Sequence, residues 1–328
     1  MKRREFIALA GGAAASALSW PSAGRAQQPA MPVIGFLRNT SFANVAHFMA
    51  AFRRGLKEAG FVEGKNVIVE YHSAEGQPDR LRVLVAELVR RPVDVIVGNS
   101  LSMLPAKAAT ATVPIVFAGG GDPVKQGLVA SINRPGGNVT GVNFLAGVLG
   151  AKRLQLLRQL VPKATTIGVL VNPNTVESEA ERRDVQAAAQ AIGQQIIIVD
   201  ASSDRDIEAA FATFVRRGAG ALLVGAGNFM FVHRKQIVAL AARHKLPAGY
   251  IAREAVVAGA LMSYGPNIAD AYRQVGIYAG RILKGEKPGD LPVMQSSKFE
   301  LVINRKTAKA LGLEVPANLL FTADEVVE

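Results

Sequence analysis

Residues 33–41 read VIGFLRNTS, and 133 positions later, from Thr166, the chain writes TIGVLVNPN, with Ile-Gly, Leu and Asn at the same offsets. More landmarks repeat in the same order. RRGLKEAGF (53–61) and DVQAAAQAIG (184–193) are helical patterns ending at Gly60 and Gly193, where a residue without Cβ takes the left-handed cap conformation. Next come the β-branched runs NVIVEY (66–71) and IIIVD (196–200), then VDVIVG (93–98) and GALLVG (220–225), then VPIVF (113–117) and LPAGY (246–250). Between them, apolar residues recur at three- and four-residue spacing, as on amphipathic helices. Short apolar strands flanked by helices are those of a parallel sheet buried on both faces. The chain is therefore expected to be α/β, with two similar doubly wound, Rossmann-like lobes. Its 328 residues suit two such units.

Two lobes of this kind imply a site. Ligands of open parallel sheets lie beyond the carboxyl ends of the strands, where loop N–H groups and helix N-termini converge. If the lobes face each other, those ends line one cleft, and hinge closure buries a small molecule there. NRPGGNVTGVNFL (133–145) and ALMSYGPN (260–267) read as crossovers between lobes, followed by an amphipathic helix with Tyr272, Val275, Ala279 and Ile282 on one face. A Pro-rich return leads to the strand FELVIN and a helix ended by Gly312. The boundaries expected are 31–142 plus 266–292 for the first lobe and 143–265 plus 293–328 for the second, with about three passages through a multi-strand hinge.

The polar residues at the strand ends are the binding candidates. They are Arg38 and Asn39 after the first strand, Asn99 and Ser100 after the third, Gly120 and Asp122 in the glycine run, and Asn143 in the crossover. The second half offers Asn172, Asn228 and Phe229, then Tyr250, Arg253 and Glu254. Amide and hydroxyl groups fix polar ligand atoms without reacting, Arg253 can grip a carboxylate with two N–H groups, and Glu254 can accept from an ammonium. Tyr264 and Phe144 are placed to stack on a planar ligand.

Catalysis finds little support. There is no cysteine, and the four histidines form no metal-ligand spacing. GNSLS (98–102) lacks the G-x-S-x-G pattern, and FAGGGDP (117–123) lacks the Lys-Ser/Thr pair of a phosphate loop, while Asp122 would repel a phosphate. No catalytic residue, metal or cofactor is therefore assigned. The net charge of +12 is spread over helix faces without aromatic interleaving, which argues for solvated surfaces and against nucleic-acid binding.

The first 26 residues read as an export signal: a basic start with Arg3-Arg4, an Ala/Gly-rich run from Phe6 to Trp20, and Gly24-x-Ala26 before Gln27. Arg3-Arg4-Glu5-Phe6-Ile7 resembles a twin-arginine signal. About 15 modestly apolar residues fall short of the roughly 20 that span a bilayer. A periplasmic protein, cleaved near Ala26, is expected.

From Val33 to Pro316 the chain resembles the type I periplasmic substrate-binding proteins of ABC transporters, and within them the tryptophan/tyrosine-type group. The stretches that carry the resemblance are RRGLKEAGFVEGKNVIVEY, VDVIVGNS, VPIVFAGGGDPVKQGLVASINRPGGNVTGVNF, IGVLVNPN and KFELVINRKTAKALGLEVP. The resemblance implies a receptor that delivers a small, often aromatic or amino-acid-like ligand to an ABC permease and its ATPase; a monomer is expected. In amino-acid binders of the group the loop matching Ala226-Gly227-Asn228 often reads Thr-Asp-Asn, so Gly227 stands where an Asp would face an ammonium. Likewise Gly98-Asn99-Ser100 stands where Gly-Thr-Pro is common. An α-amino acid and another carboxylate both remain open. So do two other uses of such a cleft, as the sensing module of a signalling system or as an enzyme site.

Overall fold

The computed structural model describes residues 30–328 apart from 44, 145, 147, 148 and 176; the export signal expected at 1–26 lies outside the described residues. The first half alternates β1 (Val33–Arg38), α1 (Ala46–Glu58), β2 (Ile68–Ser73), α2 (Pro78–Arg90), β3 (Val95–Asn99), α3 (Ser100–Ala109), β4 (Ile115–Gly119) and β5 (Val139–Asn143). The second half repeats the scheme: α4 (Gly150–Leu160), β6 (Thr166–Val171), α5 (Ser178–Ala191), β7 (Gln195–Asp200), α6 (Asp204–Arg216), β8 (Ala221–Val224), α7 (Asn228–Val232), α8 (Arg234–Arg243), β9 (Ala248–Tyr250), α9 (Arg253–Val257) and β10 (Met262–Pro266). After α10 (Ile268–Leu283) come β11 (Met294–Gln295), β12 (Phe299–Asn304), α11 (Arg305–Ala310), α12 (Ala317–Thr322) and β13 (Glu325–Val327).

The strands form two sheets, ordered β2-β1-β3-β4-β5-β11 and β7-β6-β8-β9-β10-β12-β13. Five strands in each follow the same order, so the repeated stretches occupy equivalent places, with β1 and β6 beside the point where strand order reverses. The repeated Ile-Gly has a packing reason. A Cβ on Gly35 would lie 2.7 Å from Leu88 of α2, and one on Gly168 would lie 2.7 Å from Phe214 of α6. A helix therefore presses on the same spot of each sheet. Gly60 and Gly193 take φ of +94° and +64°, and behind them the Phe61 and Gln194 N–H groups reach back to the Leu56 and Ala189 carbonyls at 2.9 Å.

Both faces of each sheet are covered. Ile34 and Phe36 pack with α1 and α10, while Leu37 packs with α2 on the other face. The first sheet is parallel throughout; the second contains one antiparallel pair, β10 with β12, because the returning chain enters from the opposite end. Strand β11 pairs with β5, so Met294 and Gln295 stay in the first sheet and the return crossing falls beyond the expected boundary at 292. The Val293 N–H donates to the Ile132 carbonyl, and burial of Val293 in that lobe's core anchors it there. Asn143 likewise ends a strand of the first sheet, and Pro266 ends one of the second.

Helix α10 returns to the first lobe and lies almost backbone to backbone on α1. Its N-terminus, at a crossing between lobes, is capped by Asn267, which accepts from the Asp270 N–H at 2.8 Å. A Cβ on Gly276 would collide with the Phe52 carbonyl, and one on Gly55 with the Arg273 carbonyl. Alanine normally favours a helix by about 1 kcal/mol over glycine. Gly276→Ala is expected to do the reverse and cost about 1–3 kcal/mol, because the helices must part. A lower urea midpoint at constant m-value would show it; a midpoint at or above wild type would refute the seam.

Candidate ligand-binding cleft

The carboxyl ends of the two sheets face one another across a cavity of about 150 Å³, on the scale that accepts a benzene ring in an engineered protein cavity. The first lobe contributes Arg38 from β1, Asn99 from β3, Gly119 and Gly120 from the end of β4, Phe48 from α1 and Tyr272 from α10. The second contributes Asn174, Thr175 and Glu177 after β6, Gly227, Asn228 and Phe231 after β8, and Ile251 and Ala252 after β9. Phe144, Ala146 and Pro266 from the crossing segments close the base.

Arg38 is 4% exposed. Its Nη1 donates to the Tyr272 hydroxyl at 2.8 Å and its Nη2 to Thr40 Oγ1 at 3.3 Å, while its Nε has no partner. Among the described residues no carboxylate pairs with it. A buried cation without a counter-ion is costly, and a cavity wall is where an anionic ligand supplies one. Asn99 stands beside it, its Nδ2 donating to Asn39 Oδ1 at 2.8 Å and its Oδ1 accepting from the Ser102 hydroxyl at 2.7 Å. Both polar ends of the Asn99 amide are thus oriented before any ligand arrives.

Aromatic rings make the apolar wall. Phe48 and Tyr272 stack with centroids 5.1 Å apart and planes at 6°, and Phe231 of the second lobe approaches Phe48 to 6.0 Å. Outside the cavity, His47 on α1 meets Glu254 on α9 at 2.7 Å, a second contact between lobes. Glu177 is the cavity's carboxylate, and burial pushes its pKa above the usual carboxylate value against the opposing pull of its own backbone N–H.

The second lobe's loop is held from below by a buried ion pair. Arg153 on α4 and Glu181 on α5 are 0% and 1% exposed, and Arg153 Nη2 donates to Glu181 Oε1. Arg153 Nη1 also donates to the Val224 carbonyl at 2.6 Å, and Glu181 Oε2 accepts from the Ala226 N–H at 2.7 Å. Burial lowers the Arg153 pKa to about 10, with Asp184 opposing the shift. The pair thereby ties the end of β8 to two helices, two residues before Asn228.

A family model described as ABC transporter substrate binding protein matches residues 34–327. The chain belongs to this family. It is 27% identical over 264 residues to the tyrosine-binding protein of Clostridioides difficile strain R20291, covering 80% of this chain and 76% of the relative. It is also similar, at 26% identity and a TM-score of 0.83, to a structure from Streptococcus pneumonia in complex with L-Trp, covering 90% of this chain and 99% of the other. The ligand-free, open structure of a substrate-binding protein with adhesive properties from Clostridium difficile matches at the same identity and coverage with a TM-score of 0.69. In this substrate-binding protein the Phe48–Phe231 and His47–Glu254 contacts bridge the two lobes. Its architecture is the two-lobed α/β fold of type I periplasmic binding proteins. The family works outside the cytoplasm by delivering small molecules to a transporter, and among the described residues no helix is long and apolar enough to cross a membrane.

Of the residues singled out in the sequence, Arg38, Asn99, Gly120, Asn228 and Phe144 lie on the cavity wall of this binding protein. Ser100 opens α3 next to Asn99. The others lie off the wall, each for a local reason. Asn39 sits behind Asn99 and is bonded to it. Asp122 accepts from the Val124 and Lys125 N–H groups and shapes its own turn. Asn143 is buried and donates to the Gly121 carbonyl, bracing the glycine run, while Asn172 does the same for its loop by accepting from the Asn174 N–H. Phe229 turns into the second lobe's core against His233. Tyr250 is 3% exposed in that core, where desolvation raises its pKa. Arg253 is taken up by Glu325 and Glu300, Glu254 by His47, and Tyr264 stacks on Phe299 within the second sheet.

Sequence reasoning missed Phe48, Phe231, Thr175 and Glu177 as wall residues and took Tyr272 for packing alone. Tyr272 does both, filling the core with its ring and meeting Arg38 with its hydroxyl. The signal available was its hydroxyl on an otherwise apolar helix face.

Proposed function

We propose that this protein is the periplasmic receptor of an ABC importer for an aromatic amino acid, captured between its lobes and handed to a permease driven by its ATPase. The carrying observation is Arg38, a buried guanidinium without a carboxylate partner, at the end of a cavity walled by Phe48, Phe231 and Tyr272. Arg38 takes the ligand carboxylate, the rings take its aromatic side chain, and Asn99, Gly120 and Asn228 complete the polar edge. The tyrosine-binding relative and the L-Trp complex support this ligand class. Export through residues 1–26 and action as a monomer belong to the same reading.

The test is ligand-dependent melting of the chain from Gln27, with L-Trp, L-Tyr and L-Phe set against L-Leu, L-Glu and a hexose. An aromatic amino acid at a hundredfold excess over its Kd is expected to add about 2.7 kcal/mol of stability without being consumed. A response confined to the sugar or to non-aromatic amino acids would overturn the assignment, and a product found by mass spectrometry would make the protein an enzyme.

A further inference from the structure

Arg38 and Glu177 are the only charged residues on the cavity wall among the described residues, and they come from opposite lobes. Among the described residues neither has an ion-pair partner. Glu177 projects from the turn before α5 across the cleft, its Oε1 lying 3.2 Å from the position a Cβ on Gly120 would occupy. Among the described residues no other residue donates a hydrogen bond to its carboxylate, and its own backbone N–H is the group favouring the charge. The loop after β8 supplies no second acid: position 227 is glycine at φ of +112°, and a Cβ there would lie 2.8 Å from Thr175 Cγ2.

We propose that Glu177 receives the α-ammonium group of the ligand and is the residue that selects an amino acid over the corresponding deaminated acid. The assignment rests on the aromatic amino-acid reading above. A zwitterion then carries one charge for each lobe: its carboxylate meets Arg38 of the first and its ammonium meets Glu177 of the second. The cleft closes around an amino acid with both buried charges compensated, whereas a deaminated acid compensates only Arg38 and leaves Glu177 to be buried bare or protonated. Gly120 contributes by its size, since a side chain there would occupy the space Glu177 reaches across.

The experiment is titration calorimetry of the chain from Gln27 and of its Glu177→Gln variant with L-Trp, L-Tyr and their deaminated counterparts, indole-3-propionate and 3-(4-hydroxyphenyl)propionate. Wild type is expected to prefer the amino acid of its better pair by at least about tenfold. E177Q is expected to lose roughly 30-fold for the amino acid and to change by less than about threefold for the acid. Because burial already disfavours the charge, the empty variant should melt no lower than wild type, which separates lost recognition from lost folding. Equal weakening toward both ligands, or no change toward either, would overturn the role of Glu177 and leave the aromatic reading standing. Failure of the wild type to bind any of the four would overturn that reading and this assignment together.

Discussion

Arg38→Met is expected to fold normally and to lose at least about a hundredfold in affinity for every carboxylate-bearing aromatic ligand. The guanidinium is 4% exposed and has no carboxylate partner among the described residues, and in the proposed function the ligand is its counter-ion. Removing it leaves the ligand's carboxylate desolvated and unpaired, which typically costs 2–5 kcal/mol in a buried charge pair. Arg38→Lys should recover little, since one ammonium cannot reproduce a planar fork whose Nη1 is already committed to Tyr272. The empty R38M protein should melt no lower than wild type, because an uncompensated buried charge has gone. Calorimetry and melting curves on the same samples check both halves. Affinity within about threefold of wild type would remove Arg38 from the site.

The second large effect concerns stability. Glu181→Ala or Arg153→Met is expected to cost about 3–5 kcal/mol, since each leaves the other charge buried without a partner. In a lobe of this size that corresponds to a fall in Tm of roughly 6–20 °C. Ligand affinity should fall with it, because Glu181 holds the Ala226 N–H and thereby the loop carrying Asn228. Replacing both by methionine removes the pair without stranding a charge, so the double variant should melt closer to wild type than either single one. A double-mutant cycle on thermal unfolding measures this coupling; additive losses would show that the two charges act independently.

Much of the architecture is legible in the sequence itself, for a local reason. The Ile-Gly openings, the capping glycines Gly60 and Gly193 and the apolar runs are signals within one element, set by backbone conformation and side-chain periodicity. The same signals predicted which loops would meet, because the carboxyl end of a strand is known once its direction is. They placed the return crossing slightly too early, since the pairing of β11 with β5 joins residues about 150 positions apart and no nearby residue announces it.

The candidate cleft residues divide along the same line. That polar loops after β1, β3, β4, β6 and β8 would line a cleft followed from the sequence. Which side chain in each loop turns inward did not: Asn172 bends back to its own loop while Thr175 and Glu177 face the cavity. Phe48 and Tyr272 carry the apolar spacing of ordinary core positions, and only the seam between α1 and α10 brings them to the cleft's edge. That Arg38 and Glu177 line one cavity depends on the packing of two lobes against each other. Short-range chemistry determined the doubled scaffold and its facing loops; the opposed pair of charges was decided by tertiary structure, because the inward turn of a loop residue depends on atoms that are neighbours in space and strangers in sequence.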